Sequence, residues 1–247
     1  MGDRFFCPDF RVGQPGRLAG DEARHLARVR RVPVGAEVEV FDGRGGAALA
    51  EVVRVGRDEV DLQIGQGLEP GPAPPVALTL AVAIPKGDRF DWLIEKATEL
   101  GVERVVPLAT ERSTVDPRAA KLDRLRRAVV ESCKQCRRNS LMTIADPVAW
   151  DAWATAPAAP GVRRWLAHPG GSSTWATDRP EPGARIIVAV GPEGGFSPRE
   201  LDRALAAGWG PIHLTATILR IETAALAVAA HLMLAATQPS AAGAGAG

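Results

Sequence analysis

The stretch Glu69-Pro70-Gly71-Pro72-Ala73-Pro74-Pro75 sets the first constraint on how this chain folds. Proline fixes φ and carries no amide donor, so neither a helix nor a strand ladder runs through it. Regular structure must be built separately on its two sides, and 247 residues are enough for a core on each. We place a domain boundary there, with a first domain over residues 1–72 and a second over 75–238. Residues 239–247 are almost all small and are expected to form a disordered tail.

The first side reads as β-rich. Glu37-Val38-Glu39-Val40-Phe41 alternates polar and apolar, Asp42 to Gly46 is a turn, and Ala47–Val55 and Val60–Ile64 supply further strands. Asp21 to Arg28 has acids in its first turn and reads as a short helix. Together these predict a compact barrel with one helix.

Beyond the prolines, strands alternate with helices. Apolar strands are expected at 76–84, 102–108, 164–167, 185–190 and 211–214. Phe90, Leu93, Ile94, Ala97 and Leu100 share one helix face, closed by Gly101. A long amphipathic helix over 118–138 carries Leu122, Leu125, Val129, Cys133 and Cys136 as its apolar stripe. Ser197-Pro198-Arg199-Glu200 is a capping box that opens a helix through Ala207. Residues 223–237 are apolar nearly all round, which predicts a buried helix with His231 as a satisfied core residue. Such alternation gives an α/β domain with a mainly parallel sheet.

In sheets of this kind ligands bind beyond the carboxyl ends of the strands. Two loops stand there: Gly191-Pro192-Glu193-Gly194-Gly195-Phe196, and Thr215 through Arg220 leading into Glu222-Thr223-Ala224. Glycine lets backbone approach a ligand closely. The first loop is neither a Walker A sequence nor a GxGxxG fingerprint, which disfavours an ATPase or a Rossmann dehydrogenase. Cys133 and Cys136 form a lone CxxC within a helix stripe, and the four histidines have no ligand spacing, so no metal is expected.

Thirty basic against twenty-nine acidic residues give a net charge of +1, so any nucleic-acid partner must be argued from local clusters. Two exist. Arg24, Arg28, Arg30 and Arg31 surround His25, and Arg124, Arg127, Lys134 and Arg138 recur on one face of the long helix. Both are expected to contact phosphate. The longest late apolar run, 224–236, is shorter than the roughly 20 residues of a membrane span. With no signal-like N-terminal run, a cytoplasmic protein is expected.

The ordered series of motifs resembles the RsmE family of SPOUT-superfamily methyltransferases. It runs from Arg4-Phe5-Phe6, His25, Arg28 and Arg31 through Phe41-Asp42-Gly43, Lys86, Lys96 to Val102, Glu111-Arg112-Ser113, Gln135 and Arg138-Asn139. It ends on Gly191 to Ser197 and on Ile218-Leu219-Arg220 with Glu222-Thr223-Ala224. The resemblance covers nearly the whole chain. It implies S-adenosylmethionine-dependent methylation of uridine N3 in 16S ribosomal RNA. A PUA-like N-terminal barrel, an α/β domain ending in a deep trefoil knot, and a homodimer acting on 16S RNA or the 30S subunit are implied with it.

The resemblance also implies residue roles. Cofactor contacts fall on Leu166, His168, Val190, Gly191, Pro192, Glu193, Gly194, Gly195, Leu214, Thr215, Thr217, Ile218, Leu219 and Arg220. Arg220 is expected to stabilise negative charge on the base or to hold the target phosphate, and Glu193 or Glu222 to order the site, to help take the proton, or to pair with an arginine. RNA contacts are expected from Arg4, His25, Arg28, Arg31, Lys86, Arg112, Arg127, Gln135, Arg138 and Asn139. Two positions depart from the pattern: Thr215 and Thr217 stand where many relatives have glycine and arginine. A decayed enzyme that only binds RNA during ribosome assembly, or a methyltransferase acting on another RNA, are the alternatives.

Overall fold

The computed structural model describes residues 3–71, 73–115, 122–177 and 179–237. The chain divides into two compact units, residues 1–72 with 130–141 and residues 73–129 with 142–247.

In the first unit Arg4–Phe6 (β1), Pro15–Ala19 (β2), Glu37–Phe41 (β3), Ala47–Val55 (β4) and Glu59–Gly67 (β5) form one sheet in the order β1-β3-β4-β5-β2. Alternation sorts β3, where Val38 and Val40 are buried and Glu37 is exposed. Phe5, Leu18, Leu62 and Ile64 close the core. No ladder joins β1 to β2, so the expected barrel is an open half-barrel. Both strands escape a sequence reading because residues 4–6 and 15–19 are too short or too polar to show alternation.

The helix expected over 21–28 is α-helical only over Gly20–Arg24 (α1) and continues as a π-helical turn, His25–Arg30. Arg31 ends it with a left-handed φ of 54°, its amide donating to the Leu26 carbonyl. Residues 130–141 also belong to this unit, whereas the sequence reading assigned them to the second domain.

The second unit is a parallel sheet in the order β12-β10-β11-β6-β7-β8. Its strands are Ala77–Ala83 (β6), Arg104–Ala109 (β7), Thr143–Ile144 (β8), Val148–Ala149 (β9, also on β7), Val162–Ser172 (β10), Arg185–Val190 (β11) and Gly210–Ile212 (β12). Central strands β6 and β11 are near-continuous apolar runs because the sheet is covered on both faces. Helices Arg89–Glu99 (α2), Trp150–Thr155 (α4), Pro198–Ala206 (α5) and Ile221–Thr237 (α6) belong to this unit, as does the start of Leu122–Cys136 (α3), whose residues from Val130 on belong to the first.

Leu122–Cys136 realises the described part of the helix expected over 118–138. Residues 118–121 lie outside the described residues, as does the tail 239–247. The helix stops short of Arg138 because Arg137 adopts a left-handed φ of 62°. Cys133 is fully buried and Cys136 half-buried. On α6 one face is buried, but Leu234 is exposed. His231 is not satisfied as expected: its ring meets Trp175 edge-on at 4.8 Å, and its buried Nε2 has no partner among the described residues. An apolar helix offers it no acceptor. None of the described helices is long and apolar enough to cross a membrane.

Candidate functional site

Three strands that neighbour one another, β12, β10 and β11, end on the same side of the parallel sheet. Their loops enclose a cleft of about 530 Å³, a volume typical of small-molecule sites. After β11 come Val190 to Phe196; within β10, Ala167, His168 and Pro169 line the cleft; after β12 come His213 to Arg220, followed by Ile221 and Ala224 of α6.

The glycine loop is held from below. Phe196 stacks on Trp150 with centroids 4.6 Å apart, and a Cβ on Gly191 would lie 3.1 Å from the Phe196 ring. Only glycine lets the backbone cross that ring so closely. Gly195 has a left-handed φ of 65° and open space where a side chain would be. The loop then enters α5 through the predicted capping box: Ser197 Oγ accepts from the Glu200 amide at 3.3 Å, and Glu200 accepts from the Ser197 amide at 2.8 Å. Ser197 Oγ also donates to Glu111 at 2.8 Å, and the Glu111 amide donates to Glu200 at 2.9 Å. One residue on, Arg112 Nη1 donates to the Gly194 carbonyl at 2.8 Å. Arg112, expected on an RNA surface, therefore lines the cleft.

On β10 the pairing with β12 shifts between Ala167 and Ser172, and within that irregular stretch His168 and Pro169 line the cleft. His168 Nδ1 accepts from the Gly170 amide at 3.0 Å and shapes that turn. Gly171 passes so close to β12 that a Cβ would sit 2.5 Å from the Ile212 carbonyl carbon. Leu166, expected among the cofactor contacts, is fully buried in the core, because strand alternation turns it away while Ala167 faces the cleft. On the last loop Thr215 Oγ1 donates to the Thr217 carbonyl at 2.7 Å, so the residue replacing glycine closes its own turn. Leu214, Thr217, Ile218, Leu219 and Arg220 all line the cleft, with Ile218 exposed.

Charge at the cleft is arranged around α2, where sequence reasoning named no site residue. Arg89 lies 3.8 Å from Glu193 and 3.7 Å from Glu222. Glu222 is buried, and its second oxygen has no hydrogen-bond partner among the described residues. A buried carboxylate oxygen left bare is costly unless a ligand supplies a donor. The aspartate-arginine pattern around residues 88–91 carries no period or spacing that would have announced this role.

Among the residues expected to contact RNA, the structure separates exposed cations from structural ones. In the first unit Arg28 and Arg31 are exposed, and no carboxylate among the described residues pairs with them. Gln135 is exposed, while Arg138 and Asn139 are half-buried. His25 is half-buried against Phe5 and Lys134. Arg4 is not on the surface: it is buried, paired with Glu39 at 2.9 Å, bonded to the Cys133 carbonyl and to Asn139, and placed over the Phe41 ring. Burial pushes its pKa down from the usual arginine value, with Glu39 opposing. Lys134, counted on the expected basic face, is nearly buried between Glu22 and Glu131, each at 2.9 Å. In the second unit Lys86 and Arg127 are exposed, whereas Arg124 is paired with Asp91. No group of metal-ligating side chains is found among the described residues.

Comparison with known proteins identifies the family of the chain. Residues 72–233 match the family described as RNA methyltransferase domain, and residues 18–65 match the RNA methyltransferase PUA domain. A protein of Synechocystis named ribosomal RNA small subunit methyltransferase E is 32% identical over 84% of this chain and 69% of its own length. A Neisseria gonorrhoeae protein of that name, solved with S-adenosyl methionine, is 30% identical with a TM-score of 0.86, covering 95% of this chain and 98% of its own. A Legionella pneumophila methyltransferase solved with the same cofactor is 31% identical with a TM-score of 0.87, over 95% and 98%. With a parallel α/β sheet of the SPOUT type, a PUA half-barrel and matched sequence across nearly its whole length, the chain belongs to the ribosomal RNA small subunit methyltransferase E family.

Proposed function

We propose that this protein transfers the methyl group of S-adenosylmethionine to N3 of one uridine in 16S ribosomal RNA. The observation that carries the reading is the cleft over β10, β11 and β12, with Arg220 and Glu193 in its lining and Glu222 at the adjoining head of α6. The residues fit the cofactor: glycine backbone at 191, 194 and 195 allows close approach, and Leu214, Ile218 and Leu219 give the cleft an apolar wall.

When bound, the cofactor supplies an electrophilic methyl group on a sulfonium. The chain must hold an exposed uracil against it and remove the N3 proton. Arg220 is exposed on the cleft rim, where its guanidinium offsets negative charge developing on the base. Glu222 or Glu193 takes the proton as general base. The first unit grips the RNA through Arg28 and Arg31, with Gln135 and Arg138, and Lys86 and Arg127 add contacts from the second.

Further parts of the proposal rest on the family resemblance: a trefoil-knotted arrangement of the cofactor loops, a homodimer, a cytoplasmic location, and the assembled 30S subunit as substrate. The division of labour between residues 1–72 and 75–238 belongs with them. The test is Arg220→Ala assayed on 30S subunits and on naked 16S RNA with labelled cofactor. Turnover should fall about 100-fold or more, as for loss of a charge-stabilising donor, with cofactor affinity by calorimetry little changed. Full turnover in this variant overturns the assignment. Failure of the wild-type protein to bind the cofactor at millimolar concentration would favour the decayed-enzyme alternative.

A further inference from the structure

Two carboxylates at the cleft share one cation. Glu193 sits on the glycine loop after β11, and Glu222 sits at the head of α6, behind the loop after β12. Arg89, the first residue of α2, reaches both: Nη2 is 3.8 Å from Glu193 and Nη1 is 3.7 Å from Glu222. Its third nitrogen is committed elsewhere, with Nε donating to the Lys86 carbonyl at 3.0 Å. The guanidinium is thus anchored in the loop after β6, with both terminal nitrogens aimed at the acids.

The exposures of the three side chains differ: 6% for Glu222, 42% for Glu193 and 33% for Arg89. Formally, two negative charges face one positive, and without Arg89 they would repel across the two loops that form the cleft. A planar guanidinium addresses two carboxylates at once, which a lysine ammonium does not do with the same geometry. Both contacts are longer than a hydrogen bond, so Arg89 sets direction without saturating either acid. The second oxygen of Glu222 stays bare and buried.

We infer that Arg89 is a positioning residue for methyl transfer, holding Glu193 on the cleft wall in register with Glu222 behind it, so that this acid pair takes the proton leaving the base. This rests on the functional reading above. Arg89 is not among the residues that line the cleft, so its loss should act on turnover through the two acids while the lining of the cofactor pocket stays in place.

The experiment measures kcat and KM on the RNA substrate, and cofactor Kd by calorimetry, for wild type, Arg89→Ala, Arg89→Lys, Glu222→Gln and the double variant. Arg89→Ala should lower kcat about 100-fold, within the span of general-base effects, with cofactor Kd within about threefold. Arg89→Lys should recover part of that loss. Because Arg89 and Glu222 act as a unit, the double variant should be no slower than the slower single variant. The inference is overturned if Arg89→Ala keeps kcat within about twofold, or if the losses multiply in the double variant. It also falls if Arg89→Lys is as slow as Arg89→Ala while melting and binding like wild type. Should Arg89→Ala not fold, the Arg89→Lys and Glu222→Gln pair decides by the same cycle. A wild-type protein that methylates no RNA would refute the functional reading itself, a result distinct from an active wild type with an unaltered Arg89→Ala.

Discussion

The Arg4 guanidinium and the Glu39 carboxylate lie 2.9 Å apart inside the first unit, where the Arg4 side chain is 3% exposed. Arg137 still reaches the other Glu39 oxygen at 3.3 Å, so removing Arg4 costs the contacts of its own buried guanidinium, about 1–3 kcal/mol, rather than the larger cost of an orphaned charge. Arg4→Ala should therefore lower the stability of the first unit by that order, seen as an earlier urea transition. If Arg4 served only RNA binding, the transition would stay where it is while RNA affinity dropped.

Gly171→Ala places a methyl group against the backbone of β12, with contacts of 2.5 and 2.7 Å to Ile212. No flexible side chain is there to yield, so the strand must shift, and with it the loop that begins at His213. We expect cofactor affinity to fall at least about tenfold, with destabilisation of roughly 1–3 kcal/mol. Calorimetry showing wild-type affinity would mean that the β10–β12 contact does not shape the cleft.

Arg28→Ala and Arg31→Ala each remove an exposed cation that no described carboxylate neutralises. Each should weaken RNA binding and reduce the slope of log affinity against log salt by about 1. Arg124→Ala removes a charge already paired with Asp91 and should change the slope less. Equal slopes for all three variants would count against a phosphate-contacting role for the π-helical turn.

Acid stability should carry a signature of Asp61 on β5. The hydrogen bond from Arg54, then the nearby charges of Arg54 and Arg17, hold its carboxyl below the usual aspartate range. Its folded pKa is depressed, so its contribution is present above the unfolded value of about 3.9 and is lost as pH falls through the folded value. Urea midpoints taken between about pH 5 and pH 2 should fall less steeply for Asp61→Asn than for the wild type. Parallel curves would show that these exposed pairs add nothing.

Elements with a strong local signal were legible in the sequence. The capping box at Ser197 and the strand over 185–190 stand at their expected positions, since each depends on residues adjacent in the chain. Features depending on contacts between distant segments were not. Nothing in a run of arginines distinguishes Arg28, left exposed, from Lys134, consumed by Glu22 at a separation of 112 residues. Likewise, Leu166 and Ala167 differ in role only through the face on which the strand sets them. Arg89 stayed hidden because its two partners lie on segments more than one hundred residues away. The two loops after β11 and β12 were marked as a ligand site because each follows a strand that the apolar pattern shows, and both line the cleft.

The first unit draws residues from both 1–72 and 130–141, and Arg4 is bonded to Cys133 and Asn139 of the later piece. This has a consequence during synthesis. The half-barrel emerges from the ribosome first but lacks the acceptors that satisfy its buried arginine until the chain has reached Asn139. Its completion therefore waits for α2 and β7 to be made, and an isolated fragment of residues 1–72 would carry that arginine into the core short of its partners.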